Sequence, residues 1–464
     1  MAALQALAPR SSSKVKKKKK MKKEFEMCRW AARDIALWIA YEGDAYSGFA
    51  EQREVGGVET VEKQLFAALE KCCLIEGRES CRYSRCGRTD RGVSAQGQVV
   101  GLRVRSVLKA EEAEDGLAPR LAHPGAHVKP GVAELSYCEI LNRVLPPDVR
   151  AIAWRSVAPE FSARFSAAAR TYRYFFRPAA PKTARNYDVD AMRDAARRLV
   201  GDHDFRNLCK MDVEHVKNYR RVVYDARIVD YGGSYYFEIT GQAFLWHMVR
   251  CVVAVLFLVG EGREPPDVVD ALLDVRNTPR RPQYLPASEA PLVLNACSFD
   301  TLTPTPTPDA LARLTDHYEK ALHDALTLAA RRTNARDELF RMRVRRVDLD
   351  VYLGRVIKAD DDHQQDTMLS WGDAIVEIRP ALRAKLDAAY APLLRRQGGK
   401  TYDERVDAMG PRKREKLEAN ERKRQESAPI DQVRSLVLLM LPRPLHRRPP
   451  PPPQVFHADK RRYG

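Results

Sequence analysis

Apolar side chains alternate with other residues over Asp34–Tyr41, DIALWIAY, which is the spacing of a strand. Val58, Val61, Leu65, Leu69 and Cys72 fall three or four residues apart and predict a helix over Val58–Cys73. Gln98–Val104 reads as another strand. After Pro146-Pro147 a second set begins: a strand at Arg170–Arg177, a helix at Val189–Val200, strands near Arg221–Val229 and Tyr235–Thr240, and a helix at Leu245–Gly260. A last strand, Leu292–Phe299, would close the sheet. Two successive α/β sets predict an α+β body with a pseudo-twofold arrangement and a central cleft between its halves.

The segments around these elements set the boundaries. Residues 1–32 form a basic N-terminal arm, 33–158 the first half of the body and 159–300 the second. Arg105–Lys129 is charged and rich in Ala, Gly and Pro, so it reads as an inserted surface loop. The run TPTPTPD at Thr303–Asp309 marks a linker, 301–310, because alternating proline blocks helix and sheet alike. Residues 311–440 then form a charged, mostly helical extension, including PRKREK at Pro411–Lys416 and ERKR at Glu421–Arg424. It is either a solvated appendage or an RNA-holding element. The tail, 441–464, contains the proline run Pro449–Pro453 and reads as disordered.

Composition narrows the partners. The chain has 464 residues, 44% of them hydrophobic, enough for a packed core. Its 79 Lys and Arg outweigh 62 Asp and Glu, and a net charge of +17 suits a polyanion: nucleic acid or an acidic membrane surface. The nine cysteines are scattered without a C-x-x-C pair, which points to a reducing compartment and away from structural zinc. The longest apolar run, Cys251–Gly260, is about half of the roughly 20 residues a bilayer-spanning helix needs, so no membrane segment is expected. KVKKKKKMKK at Lys14–Lys23 follows the apolar stretch Met1–Arg10 instead of preceding it, the wrong order for secretion. The block reads as a nuclear localisation signal or RNA-contacting arm, against a plain solubilising tail, and its Lys-over-Arg bias speaks against a mitochondrial presequence. The expected location is nucleus and cytoplasm.

Three clusters carry candidate chemistry. Arg85–Val100, RCGRTDRGVSAQGQVV, places a single carboxylate, Asp90, between glycines just before a strand, where the backbone can turn tightly and approach a substrate. On these residues alone two readings stand, and the plainer is a turn carboxylate capping its own backbone. Arg250 lies in the apolar helix LWHMVRCVVAVLFLVG, where a guanidinium that cannot lose its proton requires an acidic partner. His247, one turn earlier, reads as a satisfied polar residue at the helix start. Phe161–Tyr174, FSARFSAAARTYRY, interleaves arginines for phosphates with aromatics for unpaired bases, although part of the set must serve the core of a strand.

Together these stretches resemble the TruA family of pseudouridine synthases. The family signature G-R-T-D-x-G-V is matched by Gly87–Val93, ARFS by Ala163–Ser166, R-x-Y-x-Y by Arg170–Tyr174 and AF-x-x-H-x-VR by Ala243–Arg250. The resemblance runs from about Asp34 to Phe299. It is closer still to the eukaryotic branch that modifies tRNA positions 38 and 39, through YSGFAEQ at Tyr46–Gln52, ILNRVLPPD at Ile140–Asp148, HDFRNLCKMDV at His203–Val213 and PLVL at Pro291–Leu294. Ser94 and Phe49 stand where bacterial members usually have His and Trp. The resemblance implies the pseudouridine synthase fold, in which two α/β halves share a mixed, mainly antiparallel sheet.

It also implies roles. Asp90 would be the nucleophile that attacks a uridine, whose base is released, rotated and reattached through carbon, with no cofactor and no metal. Arg250 would pair with Asp90 and keep it ionised. Tyr172 would stack on the flipped base and handle a proton at C5, and Arg88 would fill the gap the base leaves. Leu292 and Leu294 would wall the pocket, with a plain core strand as the alternative for at least one. Arg164, Arg170 and Lys210 would contact the RNA backbone. The implied partner is the anticodon stem-loop of tRNA, with no membrane and with a homodimer as a further implication. Two other readings stay open: a synthase acting on other tRNA positions or nuclear RNAs, and a non-catalytic tRNA-binding protein on the same scaffold. A metal-dependent hydrolase is disfavoured because Asp90 lacks His, Asp or Glu at ligand spacing.

Overall fold

In the computed structural model the described residues are 30–51, 58–108, 133–178, 186–341, 390–415 and 419. The Lys14–Lys23 block, most of the expected loop at 105–129, and the Arg- and Pro-rich tail lie outside them. Chain contacts divide the protein into two compact units, 1–211 with 218–401 and 212–217 with 402–464. The second holds a short helix, Tyr402–Asp407, and an ion pair from Lys413 Nζ to Glu214 at 2.5 Å.

The first unit is built on one nine-stranded sheet. Its strands are β1 (Ala31–Tyr41), β2 (Ser84–Arg85), β3 (Ser94–Ser106), β4 (Val149–Ser156), β5 (Ala169–Phe176), β6 (Gly201–Asp204), β7 (Arg220–Tyr231), β8 (Ser234–Gly241) and β9 (Leu292–Ser298). They lie in the order β4-β1-β3-β9-β5-β8-β7-β6, with β2 paired to β3. Pairing is antiparallel except at β3 and β9, where Ser94 faces Val293 and Ala95 faces Leu294 in parallel. This is the mixed, mainly antiparallel sheet the resemblance implies.

The last strand, β9, closes the sheet from its centre: it joins the first half, β4-β1-β3, to the second, β5-β8-β7-β6. Close approach at this seam rests on Gly97. A Cβ there would sit 2.6 Å from the Asn295 carbonyl oxygen and 3.0 Å from the Ala296 Cα.

The helices bury what the sequence pattern marked. α1 (Val61–Lys71) starts three residues later than Val58, because the Thr60 side chain accepts from the Lys63 N–H at 3.3 Å and caps the helix there. Its Val61, Leu65 and Leu69 are fully buried against β1 and β3 in the principal core. Glu62 is buried too, offset by Arg78 at 2.7 Å and by Arg85. α2 (Tyr137–Asn142) completes the first half. In the second, α3 (Val189–Arg197) packs on α4 (Met248–Gly260), and α5 (Val268–Leu273) lies beside the 3-10 turn Arg206–Leu208. Apart from Arg250, α4 is apolar all round, as a helix sunk in the core must be.

The expected linker is shorter than its sequence suggests. α6 (Pro308–Arg341) begins inside it, since proline is tolerated at the first helical position, and runs for 34 residues. Further on, residues 390–401 return to the sheet body: Tyr390 Oη and the Leu393 N–H donate to buried Glu264 at 2.5 and 2.6 Å, and Gly398 pairs with Pro282. Among the described residues no helix is long and apolar enough to cross a membrane.

Candidate active site

Asp90 lies at the end of a loop that opens after β2 and feeds β3, beside the seam between the two halves. The loop is held from several sides. Gln98, fully buried on β3, accepts from the Gly87 N–H at 3.1 Å and donates to the Gly87 carbonyl at 3.0 Å. Thr89 shares a 2.7 Å hydrogen bond with the Tyr41 hydroxyl, and its carbonyl accepts from the Phe49 N–H at 3.2 Å. Ser94 accepts from the Gly43 N–H at 3.0 Å, and buried Phe49 stacks on Tyr41. The two positions that depart from the bacterial pattern thus support the loop.

Across from Asp90 stands the turn that starts α4. His247 caps the helix in the left-handed region, φ 57° and ψ 11°, a strained choice for a non-glycine residue. That turn aims its Nε2 at the Asp90 carboxylate, 3.6 Å away. Trp246, next to it, remains nearly half exposed and carries Lys210 Nζ 4.0 Å from its ring centroid. His247, expected to be an ordinary polar residue at the helix start, holds that position but faces the carboxylate. The spacing contained the clue, because His247 and Arg250 lie three apart and share a helix face.

The expected direct pair between Arg250 and Asp90 is replaced by two others. Arg250 Nη2 donates to Glu289 at 2.8 Å and its Nε to the Ala287 carbonyl at 2.7 Å, while Asp90 pairs with His247. The segment entering β9 thus supplies the acid that the buried guanidinium requires. Glu289 had no sequence signal, being a half-exposed glutamate in a stretch rich in Pro and Ala.

Arg250 still acts on Asp90 through space. Burial pushes the Asp90 carboxyl above its ordinary value; His247, Arg250 and Trp246 pull it down, and Glu289 pushes it up. Burial holds His247 below its ordinary value, with Asp90 opposing and Arg250 and Lys210 reinforcing the fall.

The other candidates divide by position. Tyr172 on β5 sits edge-on to Phe244, and burial keeps its hydroxyl protonated far above the ordinary range. Leu294, fully buried, and Tyr172 Oη lie 3.7 and 4.0 Å from where a Gly87 Cβ would stand, so both line the loop. Leu292 is buried near the start of β9. Arg88 and Lys210 are exposed, and exposed Arg164 lies over Phe165 at 5.3 Å. Arg170 is turned inward instead: its guanidinium donates to the carbonyls of Gln242 and Arg164 at 2.6 Å each, Cys86 at 3.2 Å and Ala167 at 3.5 Å. Its place is a clamp between the Asp90 loop, the ARFS turn and the end of β8. Among the described residues no group of three His, Cys, Asp or Glu side chains is arranged to hold a metal ion.

A carboxylate in a rigid loop, facing an imidazole and near a guanidinium and a buried phenol, is an arrangement suited to nucleophilic catalysis on a base that enters from solvent. Comparison with known proteins agrees in class. The family described as tRNA pseudouridine synthase matches residues 195–300. The chain is 45% identical over 297 residues to human tRNA pseudouridine(38/39) synthase, covering 61% of this chain and 59% of the relative. It is 39% identical over 319 residues to the Saccharomyces cerevisiae protein of that name, covering 65% and 68%. Against tRNA pseudouridine synthase A of Methanothrix thermoacetophila the identity is 38% over 242 residues, covering 52% and 74%. The protein belongs to the tRNA pseudouridine synthase family, of the TruA type. It spans 59% of the length of the human relative.

Proposed function

We propose that this protein isomerises uridine to pseudouridine in tRNA, at positions 38 and 39 of the anticodon arm. Asp90 is the nucleophile: it attacks the extruded uridine, and the freed base turns and rejoins its ribose through carbon. Tyr172, neutral at any physiological pH, packs on the flipped base and handles the proton at C5. Arg88, exposed in the same loop, fills the place the base leaves. Lys210 with Trp246, and Arg164 with Phe165, offer a cation beside an aromatic face, a pairing that suits phosphate and unstacked base together. Leu294 and Leu292 wall the pocket. The chemistry needs neither metal nor cofactor, and the Lys14–Lys23 block suits a protein shared between nucleus and cytoplasm. A homodimer is the form in which two such sites would meet one tRNA each.

The observation that carries this reading is the half-buried Asp90 carboxylate facing His247 Nε2 at 3.6 Å at the junction of the two sheet halves, with Arg250 and Tyr172 close enough to act on it. The test incubates the protein with unmodified tRNA transcripts and maps pseudouridine by carbodiimide-dependent primer extension. Stops at positions 38 and 39 are expected, and they should vanish in Asp90→Asn while tRNA binding persists, since the amide keeps the shape and loses the nucleophile. Turnover by that variant within about tenfold of the parent would remove Asp90 from the role. Pseudouridine confined to other positions would replace the assigned substrate.

A further inference from the structure

Arg250 hydrogen-bonds one carboxylate, Glu289, and acts through space on a second, Asp90. A guanidinium has five N–H donors. Here one goes to the Ala287 carbonyl and one to Glu289, so Arg250 is anchored to the segment entering β9 and acts on Asp90 from that position. Glu289 also packs on the nucleophile loop itself: its Cγ lies 2.9 Å from where a Cβ on Gly92 would stand, and Gly92 has φ +76°. One side chain therefore touches the loop that carries Asp90 and holds the cation that acts on Asp90. Its own side chain is 42% exposed, against 12% for Arg250.

We infer that Glu289 is a positioning residue for the nucleophile: by holding Arg250 it fixes where that guanidinium stands relative to Asp90, and with its own charge it opposes the cation's effect on that carboxylate. The inference rests on Asp90 acting as the nucleophile in pseudouridine formation. The charged and titratable groups around Asp90 are exposed Arg88 and Arg91 beside it in its own loop, His247 at the start of α4, Arg250 within it, Tyr172 on β5 and Glu289 ahead of β9, with Lys210 acting on His247. Among them Glu289 is the added negative charge next to the nucleophile. It raises Asp90 by repulsion and again by engaging the cation that would lower it. Removing that charge must therefore lower the Asp90 titration.

Glu289→Gln preserves the packing on Gly92 and a hydrogen bond to Arg250 while removing the charge; Glu289→Ala removes both. In each, the acid limb of kcat/KM on unmodified tRNA should move to lower pH, with KM changed less than about twofold. A prop with no electrostatic role would lower kcat in the alanine variant, be rescued by glutamine and leave the acid limb in place. An acid limb unmoved or moved upward in Glu289→Gln overturns the inference. If the parent forms no pseudouridine at all, the functional reading fails separately. The inference is then decided by 13C-carboxyl NMR titration of the full chain, with the Asp90 signal identified by its loss in Asp90→Asn. The midpoint must fall in Glu289→Gln, and a fixed midpoint refutes the assignment.

Discussion

Four carbonyl oxygens within 3.5 Å make Arg170 the most heavily engaged guanidinium near the Asp90 loop. One of them belongs to Cys86, three residues before the GRTD loop's Thr89, so the side chain fixes where the loop begins. Arg170→Met leaves those acceptors without their charged donor and should cost about 3 kcal/mol in chemical denaturation. Activity should fall more in kcat than in KM, since the loop moves while the exposed cations remain. Arg170→Lys should not rescue, because one ammonium cannot span four divergent acceptors. Asp90 itself behaves oppositely. Burial raises its folded pKa above the unfolded value, so the folded state binds that proton more tightly, and ionisation costs stability as the pH rises through this range. Asp90→Asn should therefore melt no lower than the parent at pH 7, and a fall of several degrees would show the carboxylate to be a structural ion-pair partner instead.

Among the elements, β9 decides most. It brings Leu294 against the nucleophile loop, and the segment entering it brings Glu289 to Arg250. Its parallel register with β3 depends on Gly97, where a methyl group would press on the Asn295 carbonyl at 2.6 Å. Backbone cannot yield as a flexible side chain does. Gly97→Ala should destabilise by about 1–3 kcal/mol, read in urea, and should depress activity beyond that loss by displacing Leu294 and Glu289 from the loop. Full activity in that variant would mean that the seam shifts without disturbing the site.

At the scale of the whole molecule the net charge of +17 is the dominant long-range feature. Binding of tRNA should release counterions, so the apparent affinity should fall at least about tenfold between roughly 50 and 200 mM salt, while kcat at saturation changes little. A flat salt dependence would exclude phosphate neutralisation as the source of affinity. The extension contributes to the body in a way composition did not announce. Residues 390–401 are tied to Glu264 and to the 281–283 strip, a few residues before the segment that holds Arg250.

The residue pattern alone determined the long elements, because a strand or helix with one buried face records that burial in its own spacing; β1, α1, β3, β5, β7, β8 and α4 were all legible this way. It was silent on β2, β6, α2 and α5, which at two to six residues are too short to show a period, and it also missed the eight-residue β4. The nucleophile loop was legible through its motif, and the need for an acid near Arg250 through the cost of burying a guanidinium. Which acid answers it could not be read. Periodicity says which side of an element faces the core, but not which distant strand lies next to it. Only the folded chain put β9 at the centre of the sheet, and with it Glu289, 39 residues from Arg250 in sequence and 2.8 Å from it in space.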